Sequence, residues 1–122
     1  MTITNITTGE QAVTSTGAVT GVLSTATLAT DFTLKVRVRG LAAGDNVLIA
    51  IEDTASASAF SDKTQIATIN IVGGSNTNEG VVHNFRSYEV PTMRYGSTND
   101  ALRLNVLAIS AGTATIYGWM ES

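Results

Sequence analysis

Cysteine is absent from this chain, which excludes disulfides, thiolate metal sites and a cysteine nucleophile. Proline occurs once, at Pro91, so almost nothing interrupts an extended backbone ladder. Aromatic residues make up 6%, which leaves few rings beyond those a core consumes. Charged residues make up 14%, below the roughly 25% of a typical soluble domain. The formal net charge of −3 excludes the overall basic footprint that a sequence-independent grip on nucleic acid requires. No stretch approaches the ~20 apolar residues of a membrane helix, so no membrane partner is expected. The first residues, MTITNITTGE, have neither a basic start nor an apolar run. No secretory signal is read there, and synthesis in the cytoplasm without secretion is expected. Asn5-Ile6-Thr7 matches the glycosylation triplet, and without an export signal it reads as chance.

What is present is a chain of 122 residues, 43% of them apolar, enough for one domain with one real core. Thr is frequent and β-branched, Gly suits tight turns, and strong helix formers such as Glu, Lys and Leu are scarce. The segment FTLKVRVR shows the resulting pattern most cleanly. Phe32, Leu34, Val36 and Val38 alternate with Thr33, Lys35, Arg37 and Arg39, a period of two with one face for a core and one for water.

The same reasoning predicts further strands at Thr2–Thr7, Asn46–Asp53, Gln65–Val72, Val81–Val90, Leu102–Ile109 and Thr113–Met120. Ala18–Leu28 reads as one bent strand or as two short ones around Gly21. Both faces of Asn46–Asp53 are apolar, which predicts a central strand. Thr54–Lys63 reads as a loop anchored by Phe60, and Gly73–Gly80 as the longest loop. The fold class that follows is all-β, an eight-stranded antiparallel β-sandwich of jelly-roll type, with an immunoglobulin-like sandwich as the alternative. One domain spans 1–122, with residues 1–10 as a possible N-terminal arm.

Candidate chemistry is sparse. His83, the lone histidine, shares a strand face with Phe85 and has neither an orienting carboxylate nor a nucleophile in reach, so a structural or interface role is the default. Glu52-Asp53, with Asp45 and Asp62, supplies carboxylates for a hard cation, but strand neighbours point to opposite faces, and solvated acids are the default. The Gly-rich loop lacks the Lys and the helix of a phosphate cradle. Tyr117 and Trp119 share one face of the last strand, opposite Ile116 and Met120; core burial is the expectation, and a face packed on a partner the alternative. Lys35, Arg37 and Arg39 form a basic row that pairs either with acids of a neighbouring subunit or with acids on the next strand. No catalytic set, cofactor or metal site is expected.

Residues 45–120 carry a resemblance. Ile51-Glu52-Asp53 leads through a Ser/Ala/Thr loop into Ile66–Ile69, Arg94-Tyr95 precedes Leu102–Val106, and a hairpin turns at Gly112. This order is similar to that of small β-sandwich capsid cement or decoration proteins of tailed phages. The connection Gly96–Asp100 is longer here than in that pattern. The resemblance implies a jelly-roll-like structural protein on the capsid surface of a virion. It also implies that the major capsid protein is the partner, often with a trimer as the bound form, and that there are no catalytic residues to transfer.

On that reading the contact residues expected are Thr2, Ile3, Thr4, Asn5 and Ile6 of the arm, Lys35, Arg37 and Arg39 of the basic row, and Asn76 and Asn78 of the Gly-rich loop. A Thr/Ile-rich extended arm is suited to adding a strand to a neighbour's sheet. The competing reading is a carbohydrate- or receptor-binding module using Trp119, Tyr95, Tyr88 and Tyr117.

Overall fold

Alternation along Thr33–Arg39 becomes strand geometry in the computed structural model. Leu34, Val36 and Val38 are buried, while Thr33, Lys35, Arg37 and Arg39 are half-exposed on the opposite face. The structure describes residues 2–24, 32–54, 63–74, 81–86, 101–110 and 112–122. Phe60, Asp62, Asn76, Asn78, Tyr88, Pro91, Arg94, Tyr95 and the turn 96–100, all singled out in the sequence, lie outside the described residues.

Ten strands occur among the described residues: β1 (Ile3–Asn5), β2 (Gln11–Val13), β3 (Gly17–Ala18), β4 (Leu23–Ser24), β5 (Thr33–Arg39), β6 (Asn46–Thr54), β7 (Thr64–Val72), β8 (Val81–Arg86), β9 (Ala101–Ile109) and β10 (Ala114–Glu121). The sheet termed A here runs β1-β10-β5-β8, with β2 also on β10. Sheet B runs β3-β9-β6-β7, with β4 also on β9. All pairings are antiparallel.

The ten strands form eight lanes. β1 and β2 lie end to end along β10, and β3 and β4 lie end to end along β9. Lane pairing is nested: the first lane with the last (β1/β2 with β10), the second with the seventh (β3/β4 with β9), β5 with β8, and β6 with β7. That is the jelly-roll sandwich. An immunoglobulin-like order would keep the first two strands in one sheet, whereas here the first two lanes fall in different sheets.

The core fills the space between the sheets. β5 contributes Leu34, Val36 and Val38, and β10 contributes Ala114, Ile116 and Met120. From sheet B come Val47, Ile49 and Ile51 of β6, Ile69 and Ile71 of β7, and Leu102, Leu104 and Val106 of β9. Full burial of such a side chain stabilises by about 1.5–3 kcal/mol. β6 lies between β9 and β7, the central place its two apolar faces predicted.

Residues 2–10 of the expected arm are held on the sandwich rather than free. β1 pairs with β10, Thr2 and Ser122 exchange backbone hydrogen bonds at 2.7 and 2.9 Å, and the amides of Ile6 and Thr7 donate to the Gly118 carbonyl at 2.8 and 3.1 Å. Two glycines make room for this crossing. A Cβ on Gly118 would lie 2.8 Å from Leu104 Cδ1, and one on Gly21 would lie 2.5 Å from the Thr8 nitrogen. Ile6, expected as a contact residue, is only 1% exposed and belongs to the core, because the chain dives inward between β1 and β2.

Candidate functional site

Period-two alternation sends the odd-numbered residues of β10 to the outer face of sheet A. Register then decides what they meet. Tyr117 lies opposite Arg37, Trp119 opposite Lys35, and Thr115 opposite Arg39. On the other side of β10, Asn5 lies opposite Trp119 and Ile3 opposite Glu121. Beyond β5, Val82 lies opposite Arg37 and Asn84 opposite Lys35. Residues from the N-terminal segment, the basic row and the last strand therefore converge on one face.

Tyr117 and Trp119 are half-buried on this face, not in the core, which corrects the burial expected for them. Their rings stack at 4.7 Å with planes 20° apart. The Arg37 guanidinium lies 5.5 Å from the Tyr117 centroid and 6.0 Å from that of Trp119, in cation–π range of both. Each polar tip has a partner: the Tyr117 hydroxyl meets Asn5 Oδ1 at 2.6 Å, and Trp119 Nε1 donates to Glu121 Oε2 at 3.0 Å.

The basic row finds its acids within the chain. Lys35 Nζ lies 2.8 Å from Glu121 Oε2, Arg37 donates to Glu10 Oε1 at 2.5 Å, and Arg39 pairs with Glu10 Oε2. The hydrogen bond from Lys35, with that from Trp119, holds the Glu121 carboxyl below the usual carboxylate range. Glu10 sits in the turn between β1 and β2, and its part was invisible in the sequence because it is 27 residues from Arg37. Glu121 was closer to legible, as an acid alternating with Tyr117 and Trp119 on the same face.

The remaining candidates lie elsewhere. His83 is exposed, opposite Val36, with its ring 4.6 Å from that of Phe85. Glu52 and Asp53 are strand residues of β6 and both are buried, Glu52 at 3% exposure, so they are not the solvated acids expected. Arg103 Nε and Asn105 Nδ2 donate to the two Glu52 oxygens at 2.8 and 3.0 Å, with Lys63 Nζ at 3.8 Å. Among the described residues no group of three or more His, Asp or Glu side chains is placed to hold a metal ion. Gly73, the start of the Gly-rich loop, is tied by its amide to the Asp45 carbonyl at 2.7 Å at an end of sheet B, away from the face just described.

What this face offers chemically is binding. Trp, Tyr and Arg are the side chains most enriched where interfaces concentrate their energy. Here all three are held in one rigid arrangement by strand register and hydrogen bonds. Ile3 at 55% exposure and Val82 at 45% add apolar surface on its two sides.

No protein-family model and no curated protein matches the chain. One similar solved structure is that of the Clostridium thermocellum N-terminal endo-1,4-β-D-xylanase 10B, CBM22-1 and GH10 modules, complexed with xylohexaose. The likeness covers 98% of this chain and 26% of that one, at 11% identity and a TM-score of 0.49, a level that does not bear on function.

Proposed function

We propose that the chain is a non-catalytic docking module, a capsid decoration protein that seats the outer face of sheet A on major capsid subunits at the virion surface. The observation that carries the docking reading is the Tyr117–Trp119 stack with Arg37 over both rings. A preorganised aromatic–guanidinium cluster loses little side-chain entropy on binding, so more of its contact energy appears as affinity. The capsid as partner rests on the resemblance of residues 45–120 to decoration proteins. Binding to assembled subunits would stabilise the shell by mass action.

The test is co-sedimentation with purified tailed-phage capsids. The expected result is binding by the native chain and at least a tenfold loss for Trp119→Ala and for Arg37→Ala, both still folded by circular dichroism. Undiminished binding by both variants would move the interface off this face. No binding by the native chain would remove the capsid from the proposal.

A carbohydrate-binding reading is favoured by the same outward pair, Tyr117 and Trp119, flanked by Asn5 and Asn84. It is weakened by their geometry, because each ring already covers a face of the other and sugar stacking needs an open ring face. A glycan array separates the two: hits lost in Trp119→Ala favour sugar, and an empty array favours protein docking.

A further inference from the structure

An unpaired strand edge presents a row of backbone donors and acceptors, and native proteins blunt such edges with short strands, charges, proline, bulges or a cover. Among the described residues four lanes lie at sheet edges, and three are blunted by short length or by charge. β1 and β2 are three residues each and are separated by the inward turn at Ile6. β3 and β4 are two residues each. β8 carries His83 and ends on Arg86. The fourth edge is β7, nine residues reading TQIATINIV, with no charge and no proline. Its one such device is a bulge at Ile66, the register shift opposite Ile51/Glu52, which leaves Ala67–Val72 in regular pairing with β6. Among the described residues nothing pairs with its other side.

We infer that Ala67–Val72 of β7 is a self-association edge that pairs antiparallel with the same strand of a second copy, joining two B sheets across a two-fold axis. Like-charge repulsion is what ordinarily keeps identical edges apart, and this strand has none to offer. The side chains on its outer face, Thr68, Asn70 and Val72 (56% exposed), carry no charge that would select a foreign strand instead. An antiparallel pair of one strand with itself is isologous, so the assembly closes at two and leaves no edge of β7 for a third chain. The regular segment is roughly 20 Å long at the usual rise, a typical strand length. Isoleucine, valine and threonine also suit a paired, half-buried surface.

This association uses sheet B and is independent of the docking face on sheet A. The experiment is sedimentation of the full chain from micromolar to millimolar concentration, with Thr68→Lys and Asn70→Lys as edge-charging variants and Thr16→Lys, on an exposed loop, as the control. The expected result is a reversible dimer for the native chain and for Thr16→Lys, and a monomer for both edge variants with an unchanged circular dichroism spectrum. Hydrogen exchange adds a backbone readout, in which β7 amides directed away from β6 are protected at high concentration in the native chain and exchange freely in Thr68→Lys. A native chain that stays monomeric at millimolar concentration would overturn the inference. A trimer would overturn it equally, since two-fold pairs cannot close at an odd number. So would a dimer that persists in both edge variants.

Discussion

Gly118 on β10 faces Leu104 on β9 so closely that a Cβ added to the glycine would lie 2.8 Å from Leu104 Cδ1 and 3.5 Å from the Ile6 Cβ. Position 118 is an inward position in the alternation of β10, on the same face as Ala114, Ile116 and Met120 of the core. The absent side chain lets Ile6 enter the core and its amide reach the Gly118 carbonyl. Gly118→Ala is therefore expected to overpack the core and destabilise by about 1–3 kcal/mol in chemical denaturation. Leu104→Val in the same chain should recover part of that loss, a coupling a double-mutant cycle measures directly.

Gly21 holds the other side of the same crossing. Its φ of +123° is a conformation that side chains rarely adopt, and a Cβ there would lie 2.6 Å from the Ile6 carbonyl oxygen and 2.7 Å from the Thr7 Cα. Gly9, at φ +64°, has nothing within 4 Å of the same added atom. Gly9→Ala is expected to show only the left-handed backbone cost of about 1–2 kcal/mol. Gly21→Ala should exceed it, because backbone atoms cannot rotate away. Thermal denaturation of the two variants side by side checks the order.

Glu52 makes stability depend on acid. Burial alone would raise its pKa, but hydrogen bonds from Arg103 and Asn105, with the charges of Arg103 and Lys63, together outweigh burial and leave it below the ordinary 4.5. A carboxyl whose folded pKa is depressed contributes stability that is fully present above the unfolded value and is lost as pH falls through the folded one. Stability is therefore expected to fall as pH drops below about 4.5, and Glu52→Gln should show a shallower fall over that window while being less stable at neutral pH. Urea denaturation across an acid pH series measures both.

Glu10 is the common acid of Arg37 and Arg39, with side chains that remain about a third exposed. Exposed pairs of this kind typically contribute 0.2–1 kcal/mol. Glu10→Gln is expected to lower stability by less than about 1 kcal/mol, with the difference shrinking at high salt. A larger loss that persists at high salt would show that Glu10 anchors the turn between β1 and β2 through packing rather than charge.

The long strands were legible because each carries its own period. Thr33–Arg39 alternates without a break, and β6, β7, β9 and β10 begin and end within a residue or two of where their patterns do. β2 and the short β3 and β4 were hard to read for the opposite reason: two or three residues hold no period, and these segments are strands only because β10 and β9 offer them an edge. The candidate face was legible only in part. Arg37 stood out as an outward residue, whereas Tyr117, on a strand with two apolar faces, was expected in the core, and nothing local to either says that they face each other.

Composition and alternation alone determined that this chain is all-β, that Leu34, Val36 and Val38 enter the core while Lys35, Arg37 and Arg39 do not, and that no cysteine chemistry operates. These follow from local steric preference and from the separation of apolar from polar faces, both of which act residue by residue. Tertiary structure decided the strand order, the capture of the described N-terminal residues by β10, the meeting of Arg37 with Tyr117 and Trp119, and the place of β7 at the end of sheet B among the described strands. Those depend on which strand lies beside which, and a period of two specifies a face but never a neighbour.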